Sequence, residues 1–97
     1  MNTEIKALQF EMSEDAKAYL AKKLGRIHNA ENMIVDLLVT FKKEKDFEAA
    51  ATVNLRWGAT ARVSENDFEL NAAIDKMIDK LEAKLTKEKE KVQEKRT

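Results

Sequence analysis

The chain has 97 residues, with 18 lysines and arginines against 18 aspartates and glutamates, so its formal net charge is zero. It has no cysteine, which excludes a disulfide framework and a thiolate metal site, and no run near the roughly 20 apolar residues of a membrane span. The length suits one domain over residues 1–97 with one core, and nothing in the sequence reads as a signal peptide, linker, low-complexity tract or internal repeat.

The first element, from about Thr3 to Phe10, reads as a strand with Ile5, Ala7 and Phe10 on its buried face. Ser13 is a good N-cap, and Glu14 and Asp15 suit the positive end of a helix dipole. A helix is expected from there to about Ile27, with Ala16, Leu20, Leu24 and Ile27 inward, followed by a polar connection over Asn29 to Asn32. From Met33 to Lys43 the residues alternate. Met33, Val35, Leu37, Val39 and Phe41 share one face, and Asp36, Thr40 and Lys42 the other, the mark of a strand with one buried face.

Glu44-Lys45-Asp46 makes a polar turn. Phe47, Ala49, Ala51, Val53, Leu55 and Trp57 then alternate with polar residues as a second strand of the same kind, which places Trp57 in register with the core. Gly58 supplies a tight turn, and Ala59, Ala61 and Val63 alternate with Thr60, Arg62 and Ser64 in the next strand. Asn66 or Asp67 can cap a final helix running to about Val92 and fraying beyond. Its apolar stripe is Leu70, Ile74, Met77, Leu81, Leu85 and Val92.

The order β-α-β-β-β-α defines an α+β fold. The three consecutive strands form an antiparallel meander, and the two helices lie side by side on one face of a four-stranded sheet. Ala49 and Ala51 permit close approach of the helices, while Thr52, Asn54, Arg56, Thr60 and Arg62 leave the other face wet.

Charge on the last helix is sorted by side. Lys76, Lys80, Lys84, Lys87, Lys91 and Lys95 recur at helical spacing along one flank, and Asp75, Asp79, Glu82 and Glu90 along another. On the first helix Lys22, Lys23 and Arg26 share a flank with Tyr19 beside them. If that flank faces the lysine stripe, two cationic edges bound a shallow groove suited to a phosphate backbone. Taken singly, such stripes are ordinarily solvated faces, aided by i,i+3 pairs such as Glu88 with Lys91. The stripe of Asp75, Asp79 and Glu82 has the chemistry for a hard cation, but a solvated face is the commoner use, and no metal or other cofactor is assigned.

Catalysis finds no set of residues. His28 is the lone histidine, Ser13 and Ser64 have structural uses, and two isolated glycines make no phosphate loop. No enzymatic activity and no small-molecule substrate is therefore expected. The rival to a nucleic-acid reading is a non-catalytic protein-interaction module using the helical face or the open sheet face.

Three stretches carry a family resemblance. Ala72-Ala73-Ile74-Asp75, then Ile78-Asp79-Lys80-Leu81 and Leu85-Thr86-Lys87, resemble the last helix of the ribosome hibernation promoting factor family. That family includes the ribosome-associated inhibitor and was formerly called sigma-54 modulation protein. Ala51-Thr52-Val53 with the Gly58 turn resembles its third strand and hairpin. Phe10-Glu11-Met12-Ser13-Glu14, with Lys17, Tyr19, Lys23 and Leu24, resembles its first strand end and first helix. The chain departs from the pattern at Ala83, where arginine is common, and at Asn71, where an aromatic is common. The resemblance implies a fold similar to a double-stranded RNA-binding domain. It implies binding to the small ribosomal subunit and its 16S ribosomal RNA at the decoding region, in the path of messenger and transfer RNA. It further implies inhibition of translation in stationary phase or stress, in the cytoplasm.

By position, the resemblance carries ribosomal RNA contacts onto Lys23, Arg26, Lys80, Lys84, Lys87 and Lys91. Charge geometry adds Lys22 and Lys76 to this candidate set. The chain ends at Thr97 without the long form's dimerisation domain, so it resembles the short form and is expected to be monomeric off the ribosome.

Overall fold

The computed structural model describes residues 2–95, and the side chains of all of these except 29 and 92–95. Four strands, β1 (Asn2–Leu8), β2 (Ile34–Lys43), β3 (Phe47–Leu55) and β4 (Thr60–Asp67), form one sheet in the order β1-β2-β3-β4. β1 is parallel to β2, and the β2-β3 and β3-β4 pairs are antiparallel, as the short turns between them require. The crossover from β1 to β2 holds α1 (Glu14–Leu24) and a 3₁₀ segment (Gly25–Met33). α2 (Leu70–Lys95) follows β4, packs over β3 and β4, and has α1 beside it.

Local chemistry accounts for the element ends. Ser13 caps α1, its Oγ accepting the Ala16 N–H at 3.1 Å. Gly25 is the point where α1 tightens. Its N–H turns to Lys22 O, three residues back, in the 3₁₀ pattern. The helix expected to reach Ile27 thus ends at Leu24, and the expected polar connection is 3₁₀ up to Met33. Asp67 prepares the start of α2, accepting the Glu69 N–H at 3.0 Å. α2 continues to Lys95, past the expected end at Val92, and the place of Val92 on the apolar stripe lies outside the described residues.

The core lies between sheet and helices. Leu37, Val39, Phe41, Ala49, Ala51, Val53, Leu55 and Val63 face Leu20, Ile27, Ala73, Ile74, Met77, Ile78, Leu81 and Leu85. Four expectations for these strands are corrected. Ile5 is on the correct face, paired with Val39, but β1 is an edge strand and Ile5 remains 46% exposed. The same strand ends at Leu8, because Gln9 turns into the left-handed region at φ 71°. Phe10, beyond it, packs edge-to-face on Phe47 with ring centres 5.4 Å apart. Val35 is exposed and Ile34 buried, since the register shifts by a bulge between Ile34 and Asp36. Trp57 leaves the core register as well: β3 stops at Leu55, and Trp57 sits on the hairpin turn, 40% exposed.

Candidate nucleic-acid interface

The two flanks of α2 have different partners. On the flank toward α1, the Tyr19 hydroxyl donates to Asp75 Oδ1 at 2.6 Å, and Lys23 Nζ lies 3.4 Å from the same oxygen. One turn further, Arg26 forks, with Nη1 donating to Asp79 at 2.7 Å and Nη2 to Glu82 at 3.1 Å. The bond to Asp75, aided by desolvation, raises the Tyr19 pKa, and the bonds to Asp79 and then Glu82 raise that of Arg26.

This corrects the groove expected between two cationic edges. The basic flank of α1 and of the 3₁₀ segment after it faces the acidic stripe of α2, not its lysine stripe, and Lys23 and Arg26 have their charge met there. Asp75, Asp79 and Glu82, though still partly solvated, thus form half of a clasp between the helices. Lys22, the third member of that flank, is exposed.

On the opposite flank α2 runs along β4, the free edge of the sheet. Lys76 Nζ lies 2.8 Å from Asp67 and Lys80 Nζ 3.0 Å from Glu65. The Glu69 N–H and then the Lys76 ammonium hold the Asp67 carboxyl below its ordinary value, and Asp67 raises the pKa of Lys76 in turn. Beyond these pairs a shallow groove of about 350 Å³ opens between helix and strand, where Arg62 and Ser64 meet Lys80, Lys84 and Lys87. Lys84, Lys87 and Arg62 are exposed and make no ion pair among the described residues. Lys91 continues the row, 3.6 Å from Glu88 one turn back.

Arg62 is the residue that sequence reasoning missed, having counted it on the wet sheet face. The available signal was the meander: its last strand is an edge, so residues of β4 border the groove beside α2. Three exposed cations without an ion pair among the described residues, one a guanidinium able to fork across two phosphate oxygens, suit a polyanion.

Elsewhere the chemistry is thin. A groove of about 390 Å³ at the far end of the helix seam is lined by Ile27, Ala30, Met33 and Leu85 with Arg26, Glu82 and Lys89 at its rim. His28 is exposed, 3.1 Å from Glu31. Among the described residues no three His, Asp or Glu side chains converge as metal ligands, and no helix is long and apolar enough to cross a membrane.

The two-helix, four-stranded β-α-β-β-β-α fold has known counterparts. The family model described as Sigma 54 modulation protein / S30EA ribosomal protein matches residues 3–93. The ribosome hibernation promoting factor of Pseudomonas putida is 31% identical over 94 residues, spanning 96% of this chain and 91% of that protein. The solved ribosomal subunit interface protein of Coxiella burnetii superposes with a TM-score of 0.84 at 24% identity, over 92% of this chain and 98% of that one. The N-terminal domain of Protein Y from Thermus thermophilus does so with a TM-score of 0.76 at 28% identity, over 90% and 98%. The chain belongs to the Sigma 54 modulation protein / S30EA ribosomal protein family, a non-enzymatic class of ribosome-associated factors.

Proposed function

We propose that this protein is a ribosome hibernation factor. It binds the small ribosomal subunit at the decoding region through 16S ribosomal RNA, and its occupancy of the messenger and transfer RNA path holds ribosomes inactive in stationary phase or stress. The cytoplasm is then its place of work. The observation that carries this reading is the row of uncompensated cations along the β4–α2 edge, in a chain of zero net charge and of this family. A protein with 18 charges of each sign offers a polyanion no general attraction, so recognition has to come from a local array.

The RNA face is assigned to Arg62, Lys84 and Lys87, with Lys76, Lys80 and Lys91 flanking them and Lys22 outside the groove. Lys23 and Arg26 serve first to clasp the helices. Because phosphate contacts carry no sequence information, specificity rests on the fixed arrangement of phosphates in the assembled subunit. Co-sedimentation tests this. The protein should pellet with purified small subunits, pellet poorly with large subunits, and reduce cell-free translation when added before messenger RNA. Equal binding to small subunits and to an arbitrary RNA duplex would overturn the assignment.

A further inference from the structure

Trp57 lies outside the core cluster and is 40% exposed. β3 ends at Leu55, and the chain reverses through Arg56, Trp57 and Gly58 into β4. Three backbone bonds fix the turn: Leu55 N–H to Ala59 O at 2.8 Å, Gly58 N–H to Leu55 O at 3.0 Å, and Arg56 N–H to Met33 O at 3.0 Å. Gly58 at φ 87° takes the position that a side chain resists. The indole is thus presented on a pinned turn, beside the exposed Arg56.

The direction of β4 and α2 carries the cationic row toward this turn. α2 runs antiparallel to β4, with Lys76 at Asp67, Lys80 at Glu65, and Lys84 and Lys87 at Arg62. From Asp67 to Arg62 a strand advances about 16 Å, and from Lys76 to Lys87 a helix advances about the same, so strand and helix keep step. Continued at that rate past Arg62, the turn that precedes Thr60 falls beyond Lys87, toward the stretch of α2 that carries Lys91.

We infer that Trp57 is a stacking platform for an unpaired RNA base whose neighbouring phosphates lie on Arg62, Lys84 and Lys87. This rests on the RNA-binding reading of the edge groove. Every base has a π-face, so an indole at the end of a phosphate track takes a base whatever its sequence, and Arg56 adds a cation beside it. A duplex offers phosphates but no free face. A protein partner would bury the indole but would not call for uncompensated cations leading to it.

The chain has one tryptophan, so its emission reports this turn alone. The probes are a short single-stranded oligoadenylate and an RNA duplex of equal phosphate count. The oligoadenylate should quench Trp57 saturably, and the duplex should bind without quenching. Followed by anisotropy of labelled strand, Trp57→Ala should weaken oligoadenylate binding by roughly 5- to 150-fold without changing the salt slope, and Trp57→Phe should recover most of the loss. Lys84→Gln with Lys87→Gln should flatten the slope and leave the quenching at saturation intact.

No saturable quenching, or an affinity of Trp57→Ala within about twofold of wild type, overturns the inference. Pelleting with purified small subunits separates the two readings. Wild-type pelleting by Trp57→Ala, with loss only in the lysine variant, ends the stacking role and leaves the ribosomal one. Failure of wild type to pellet ends the ribosomal reading itself.

Discussion

Arg26 donates to Asp79 at 2.7 Å across the seam beside α2, where the basic residues of one element meet the acidic stripe of the other. The acidic stripe of α2 faces this side, and Lys23 and Tyr19 also meet it at Asp75. The lysine flank is left for the sheet edge. A chain with no net charge thereby keeps a cationic groove facing solvent.

The clasp should behave as a coupled unit. Arg26→Glu places a carboxylate against Asp79 and Glu82 and should lower the melting temperature more than Arg26→Gln does. Adding Asp79→Lys to Arg26→Glu should recover part of the loss, and a double-mutant cycle in thermal denaturation reads that recovery. Additive effects would mean that the contact contributes nothing.

Tyr19 gives the clasp an alkaline signature. Its hydrogen bond to Asp75 raises its pKa above the ordinary 10.0. A group with a raised folded pKa contributes stability that is complete below its unfolded pKa and is lost as pH rises through the folded value. The advantage of wild type over Tyr19→Phe should therefore be full below pH 10.0 and vanish above the folded pKa. The chain has one tyrosine, so tyrosinate absorbance follows the titration directly and should lag that of the unfolded chain.

Asp67 sets the acid side. Its carboxyl is held below 3.8 by the Glu69 N–H and Lys76. A depressed carboxyl contributes stability that is present above its unfolded pKa and is lost as pH falls through the folded one. Asp67→Asn should be less stable than wild type at neutral pH, with the gap closing as pH drops below 3.8, in denaturation followed by circular dichroism.

Leu81 is fully buried on α2, at the centre of the core. Leu81→Ala should lose about 2–5 kcal/mol by chemical denaturation. Val35→Ala, on the bulge and exposed, should stay within about 0.5 kcal/mol of wild type.

How much of this was legible in the sequence follows from where each signal is stored. The 3.6-residue stripe of α2 placed Ile74, Met77, Leu81 and Leu85 inward, and strand alternation placed Leu37, Val39, Phe41, Ala49, Ala51 and Val53 there, because both periods are local. The bulge at Val35 and the end of β3 before Trp57 are not periodic, so alternation ran through them. The exposure of Ile5 comes from its strand being an edge, a property of sheet order. Which flank of α2 meets α1 was also beyond periodicity, since the acidic and basic stripes lie symmetrically about the apolar one. Only the position of β4 on one side and α1 on the other decides between them, and Arg62 was missed for the same reason.

The most direct test of the central claim is the salt dependence of binding to purified small ribosomal subunits. Wild type should be compared with a variant carrying Arg62→Gln, Lys84→Gln and Lys87→Gln. These three side chains are exposed and outside the core, so the variant should fold as wild type does. If each neutralises a phosphate, affinity should fall and the slope of log affinity against log salt should flatten by roughly 0.7–0.9 for each lost contact. An affinity and a slope equal to those of wild type would show that the edge row is only a solvated face, and would contradict the account.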